Sequence, residues 1–226
     1  MKKILSILLA VTMVFSLVVV ARVPTASAVS GLRSPDQYTW LPTYKFGEPI
    51  VGVTNSASSV AVKLLDNSGA WVATFDSTDG AGQAFYFDTG SVVPGGLAEG
   101  TYVIQESTNA NNDNTGLISG TAKKVYVQKY SLPAPSTSTT PTFGATGVLI
   151  WGNLYQASTG TAATGVTLTL MYSTDHSTWT PITTATTTSP NGAYVFSNIS
   201  FNQYGYYGIF AYTGAGYQPY FYWYLA

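Results

Sequence analysis

Apolar residues recur along this chain with a period of two. Val60, Val62 and Leu64 alternate with other residues, Asp66-Asn67-Ser68-Gly69 supplies turn chemistry, and Trp71, Ala73 and Phe75 resume the alternation. An apolar residue at every second position makes one face of a β-strand, and an Asp/Asn/Gly turn between two such runs predicts a hairpin. Phe85-Tyr86-Phe87, Tyr102-Val103-Ile104 after Glu99-Gly100, and Val125-Tyr126-Val127 predict further strands, with residues 109–114 as a polar loop. Beyond residue 144 the runs 147–154, 166–173, 178–187, 193–196, 206–212 and 217–225 are β-branched or aromatic and bounded by Gly, Asn and Ser. No helical period competes with them. Short strands at this spacing predict an all-β chain: two Ig-like antiparallel β-sandwich domains in tandem after a signal peptide.

Punctuation sets the boundaries. Lys2 and Lys3 precede an apolar run from Ile4 to Val20, followed by Arg22, Pro24 and the small-residue site Ala26-Ser27-Ala28. That order predicts a secretory signal over residues 1–28, cleaved after Ala28, and hence a secreted, extracellular or cell-surface protein. No later apolar stretch has the length of a membrane span, so no transmembrane anchor is expected in the mature chain. Residues 29–44 form an N-terminal extension with little periodicity, expected to be a loose tail or a strand supplied to a neighbour. The first sandwich is assigned to residues 45–131 and the second to 144–226. Between them, residues 132–143 are rich in Pro, Ser and Thr and predict a stiff, extended, solvated linker. The separations Val60 to Trp71 to Phe87 resemble Val166 to Trp179 to Phe196, a weak internal repeat.

Composition narrows the function. There is no cysteine, so neither disulfides nor metal thiolates contribute. Removing Lys2, Lys3 and Arg22 leaves six of the nine basic residues against ten acidic ones, a formal charge of −4. That balance carries no basic footprint for nucleic acid. From Phe143 to Ala226 the one Asp, Glu, Lys or Arg is Asp175. Ordinary surfaces carry about a quarter to a third charged residues, so this half suits a crowded or assembled state.

Gly152-Asn-Leu-Tyr-Gln-Ala-Ser-Thr-Gly160, Gly165-Val-Thr-Leu-Thr-Leu-Met-Tyr-Ser173, Trp179-Thr-Pro-Ile182 and Asn191-Gly-Ala-Tyr-Val-Phe196 follow a recurrent surface-module pattern. Residues 144–226 resemble the carboxypeptidase-regulatory and Cna-B group of Ig-like, transthyretin-like sandwiches, and the first half is loosely similar to an Ig-like repeat. The resemblance implies spacers, stalks and adhesive units of microbial surface proteins. Some relatives carry a Lys-to-Asn isopeptide bond. No lysine follows Lys129, which excludes that bond in the second half and leaves Lys63 or Lys123 in the first.

Candidate chemistry is sparse. His176, the one histidine, lies in Ser173-Thr-Asp-His-Ser177 between two predicted strands, where a solvated turn is expected. Asp76, Asp79 and Asp88 are the candidate ligands for calcium, and no other cofactor is expected. Asn198-Ile-Ser200 is an N-glycosylation acceptor pattern at Asn198. Aromatic residues crowd the last strands, and only about half of a strand's side chains can face one core. Tyr206, Tyr220, Tyr222, Trp223 and Tyr224 are therefore the candidate binding or assembly residues. The expected function is a non-enzymatic structural or adhesive component of the cell exterior, an envelope, sheath or filament subunit. Its partners would be copies of itself or other surface proteins. The alternative is carbohydrate binding through exposed Tyr and Trp.

Overall fold

The structure, a computed structural model, describes residues 29–34, 41–76 and 81–226. Among the described residues the chain is all-β, without a helix. The expected leader, residues 35–40 of the N-terminal extension and Asp79 lie outside them. In the N-terminal half, β1 (Thr43–Lys45), β2 (Pro49–Val53), β3 (Ala61–Asp66), β4 (Trp71–Asp76), β5 (Ala84–Asp88), β6 (Gly100–Ser107) and β7 (Lys123–Gln128) follow in order. The connection holds β8 (Tyr130–Ser131) and β9 (Ser136–Thr137). The C-terminal half contains β10 (Val148–Asn153), β11 (Tyr155–Gln156), β12 (Thr167–Ser173), β13 (Thr180–Thr186), β14 (Ala193–Ile199), β15 (Gly205–Phe210) and β16 (Phe221–Leu225).

Five strands in the order β1-β7-β6-β3-β4 make the larger sheet of the first half, with β1 parallel to β7, and β2-β5 make the smaller. Ile50, Phe85 and Phe87 from the smaller sheet meet Val62, Leu64, Ile104, Val125 and Val127 from the larger in one core. The second half sets β14-β10-β9 against β13-β12-β15-β16, and Ile150, Phe196, Leu168, Leu170 and Ile209 meet in a second core. At Asn191-Gly192 the chain needs φ = 69°, and a Cβ on Gly192 would drive into the Leu154 carbonyl oxygen. Only glycine meets both conditions.

The hairpin expected around Asp66-Gly69 is β3-β4, and its turn is tied by Asp66 Oδ1, which accepts from the Ser68 and Ala70 backbone N–H groups. The alternation in β3 is obscured in burial, because Ala61, Val62, Lys63, Leu64 and Leu65 are all covered. The cause is the segment after β6, which folds back over the outer face and brings Asn109, Asp113 and Thr115 onto Lys63.

Two expectations about connecting segments need correction. Residues 132–143 are not a solvated linker throughout. Leu132 is buried in the second core, and β9 pairs antiparallel with β10 through Ser136↔Trp151 and Thr137↔Ile150. An extended, hydroxyl-rich segment beside an unpaired strand edge satisfies that edge's N–H and C=O groups, which outweighs solvation. The start of the N-terminal extension is likewise no loose tail. Val29 fills the first core at 2% exposure, and Ser30 exchanges backbone hydrogen bonds with Val53 at 3.2 and 3.0 Å.

The halves are joined by more than the chain. β8 pairs with β11, Thr101 N–H and Oγ1–H donate to the Gly216 carbonyl at 3.1 and 2.6 Å, and Gln218 Nε2 donates to Thr43 Oγ1 at 2.8 Å.

Candidate functional site

The outer face of the four-stranded sheet carries the aromatic surface. In β15, Tyr207 and Ile209 point into the core, which sends Tyr206, Gly208 and Phe210 outward. In β16, Phe221 and Leu225 point inward and Tyr222 and Tyr224 outward. The antiparallel register sets Tyr206 opposite Tyr224 and Gly208 opposite Tyr222. The Tyr206 ring centroid lies 4.6 Å from that of Tyr224 and 6.0 Å from that of Tyr222. Tyr224 is 59% exposed. Gly208 leaves room for Trp179, whose ring would stand 3.0 Å from a Cβ there and meets Phe210 edge to face at 4.8 Å.

The loop between β12 and β13 closes one side of this patch. Asp175 Oδ1 accepts from the Ser173 hydroxyl at 3.0 Å and from the Ser177 and Thr178 N–H groups at 2.8 Å each. These donors, Thr178 N–H first, hold the Asp175 carboxyl well below the usual carboxylate range. The carboxylate thus shapes the turn. His176 sits at φ = 64° and lays its ring 3.5 Å from Tyr206 and 5.1 Å from Tyr222. Burial lowers its pKa below 6.5, so the imidazole joins the patch neutral at pH 7.

The five residues singled out in the sequence therefore divide. Tyr206, Tyr222 and Tyr224 come together on the outer face. Trp223 points the other way, edge to face with Phe221 at 4.8 Å and Phe201 at 6.3 Å, because β16 alternates and Trp223 falls on the core side. Tyr220 is not a surface residue either: it is 5% exposed, and its hydroxyl donates to Glu99 of the first half. Asn198 is exposed at φ = 58°, where β14 carries an extra residue relative to β10 between Val148 and Ile150. Asparagine suits that left-handed bulge position irrespective of any sugar. Asp76 ends β4, and no cluster of three metal-ligating side chains exists among the described residues.

Sequence reasoning missed Glu99, the centre of the junction. The Glu99-Gly100 pair reads as turn punctuation before a strand, and nothing local marks it as a hub. Its carboxylate, 7% exposed, accepts from the hydroxyls of Tyr126 at 2.9 Å and Tyr220, and from Lys129 N–H at 3.0 Å. Burial pushes its pKa up, against the pull of these donors. Burial and the neighbouring carboxylate in turn raise both phenols, which stay protonated. Beside this junction runs a groove of about 420 Å³ between the halves, lined by Asn67, Lys124, His176, Trp179, Tyr217 and Gln218. Gln218 is 3% exposed, and its Oε1 has no protein partner.

No protein-family model matches the chain, and no curated protein matches it. Among solved structures it is similar to the Escherichia coli adhesin FdeC, with 18% identity and a TM-score of 0.29 over 81% of this chain and 61% of that one. Activated alpha-2-macroglobulin from Escherichia coli gives 14% identity and 0.30 over 84% of this chain and 15% of that one. A tetra-tandem repeat from the extending region of a large adhesion protein gives 14% and 0.25, over 80% and 42%. The chain thus spans less than two thirds of each of these structures, and at these scores the likeness assigns neither a family nor a function.

Proposed function

We propose that this chain is a non-enzymatic structural or adhesive protein of the cell exterior that associates with copies of itself, as an envelope, sheath or filament subunit. The observation that carries the reading is the outward cluster of Tyr206, Tyr222, Tyr224 and His176, on a half whose one formal charge, Asp175, is spent on its own turn. Tyrosine rings offer large contact area at low entropic cost and keep a hydroxyl for water or a partner, which suits a face that is wet alone and dry when packed. A nearly uncharged surface leaves copies little electrostatic repulsion. Export follows from the expected leader.

Changing Tyr206, Tyr222 and Tyr224 together to Ser is expected to abolish concentration-dependent assembly, followed by light scattering and negative-stain microscopy, while the thermal melt stays cooperative. A native chain that remains monomeric at every concentration and pH would overturn the reading.

The groove between the halves favours a second one, carbohydrate binding. It offers the Trp179 and Tyr217 rings for stacking, with Asn67, Lys124 and the unpaired Gln218 Oε1 for hydroxyl groups. On that reading a glycan array gives hits that Trp179→Ala loses and Trp223→Ala, read only in a variant that still folds, keeps. An array without hits would remove it.

A further inference from the structure

Val29 to Arg33 occupy a seat cut for them at the free edge of β2. The Val29 side chain enters the first core and Leu32 packs against it. Ser30 makes the only strand-like bridge on that side of β2 among the described residues, facing Val53. Gly52 makes room: a Cβ there would stand 2.8 Å from the Ser30 carbonyl oxygen and 2.6 Å from the Phe85 ring. Arg33 closes the far end. Its guanidinium lies 4.4 Å over the Tyr44 ring, and Nη1 donates to Glu48 Oε2 at 3.0 Å and to the Thr43 carbonyl at 3.1 Å. The hydrogen-bonding and cation–π partners of Ser30 and Arg33 all lie in residues 43–55, none within the segment itself.

We propose that this segment is a donated strand: in the assembled protein, residues 29–33 of one copy fill the β2 seat of the next. The proposal deepens the self-association reading and rests on it. The contacts are the same whether the segment is a copy's own or its neighbour's, so the two arrangements differ only in chain entropy and in whatever the copies touch besides. A short tether gives a self-supplied segment an effective concentration in the millimolar range, so exchange prevails once copies are packed about that densely, as in an envelope. Three features favour exchange. Cleavage after Ala28, as the sequence predicts, leaves the segment at a free chain end, which can leave and enter a seat without threading. The anchorage is one bridge, one buried Val, a half-buried Leu and the exposed side-chain contacts of Ser30 and Arg33, little enough to open without unfolding the sandwich. The seat and the segment are different surfaces, so a copy that gives its segment to one neighbour and takes another's is joined head to tail, and donation then propagates as an open chain. Between Ser34 and Leu41 the backbone reaches at most about 25 Å, so donor and acceptor must also pack side by side.

The absence of cysteine makes the test direct. Ser30 and Val53 exchange backbone hydrogen bonds, which places their Cα atoms about 5.5 Å apart, within the span of a disulfide. The full chain is expressed with its own leader as Ser30→Cys, as Val53→Cys and as the double variant, and the exported products are concentrated and oxidised. Donation predicts a ladder of covalent multimers from the double variant, and a disulfide between differently tagged chains when the two single variants are mixed. If the double variant forms its disulfide only within single chains while the native protein still polymerises, donation is wrong and self-association stands. Internal disulfides together with a persistently monomeric native chain would overturn both.

Discussion

Glu99→Ala is expected to destabilise the chain by about 3 to 5 kcal/mol, because it strands three donors at once, two of them buried. The Tyr126 hydroxyl, the Lys129 N–H and the Tyr220 hydroxyl all converge on this carboxylate. Glu99→Gln, which keeps one carbonyl oxygen and loses the charge, should cost much less. The two variants also separate in pH dependence. Burial raises the folded-state pKa of Glu99 above its ordinary 4.5, so folding favours the protonated carboxyl. Its contribution to stability is complete below pH 4.5 and is lost as pH rises through the folded value. Glu99 should therefore add to the native melting temperature on acidification from neutrality toward pH 4.5, against the loss from the partly buried His176, and the Gln variant should lack that gain. An unchanged slope in Glu99→Gln would show that some other group sets it.

Lys63→Ala is expected to cost about 3 kcal/mol and to release the segment folded over β3. Lys63 is fully buried in a strand centre, where its amine donates to Asn109 Oδ1 and Asp113 Oδ1 at 2.9 Å and to the Thr115 carbonyl at 2.7 Å. Those three acceptors are what draw residues 109–115 back across the sheet. Hydrogen exchange in that segment should rise in the variant while exchange in β6 and β7 changes less. The hydrogen bond from Lys63 is also the first cause of the low Asp113 pKa, about 2, ahead of the Thr115 bonds. A carboxyl depressed in the folded state stabilises above its ordinary 3.8 and loses that contribution as pH falls through about 2. In Lys63→Ala the Asp113 titration should move up toward 3.8, and a titration left where it was would contradict the cage. Of these two groups, Glu99 gains as pH falls to 4.5 and Asp113 does not begin to lose until below 3.8, so their joint contribution is largest between those values.

The same two residues mark where sequence reading runs out. Period-two alternation located β3, β4, β5, β6 and β7 and the longer strands of the second half, because inward and outward positions on a strand are a local matter of the pleat. It passed over β1, β2, β8, β9 and β11, which are short and carry Pro49 or Gly52, or are hydroxyl-rich, so that no apolar alternation marks them. Such strands exist because a neighbouring edge needs partners, and that need is invisible along the chain. The aromatic surface was half legible: alternation says that some of the last tyrosines face out, and only the register with β15 and the turn between the two strands decides which. Tyr206, Tyr222 and Tyr224 went out. Trp223 and Tyr220 went in.

What the sequence by itself determined is the all-β class, the principal strands, the uncharged second half and the excess of aromatic residues in its final strands, since each is a property of composition or of spacing between neighbours. Only the tertiary structure decided that Glu99 of one half accepts from Tyr220 of the other, that Lys63 holds a distant loop, that the stretch after residue 131 is drawn into the second sandwich, and that Val29 closes the first. Each depends on contacts between residues far apart in the chain, and a one-dimensional pattern records which side chains seek cover without recording what will cover them.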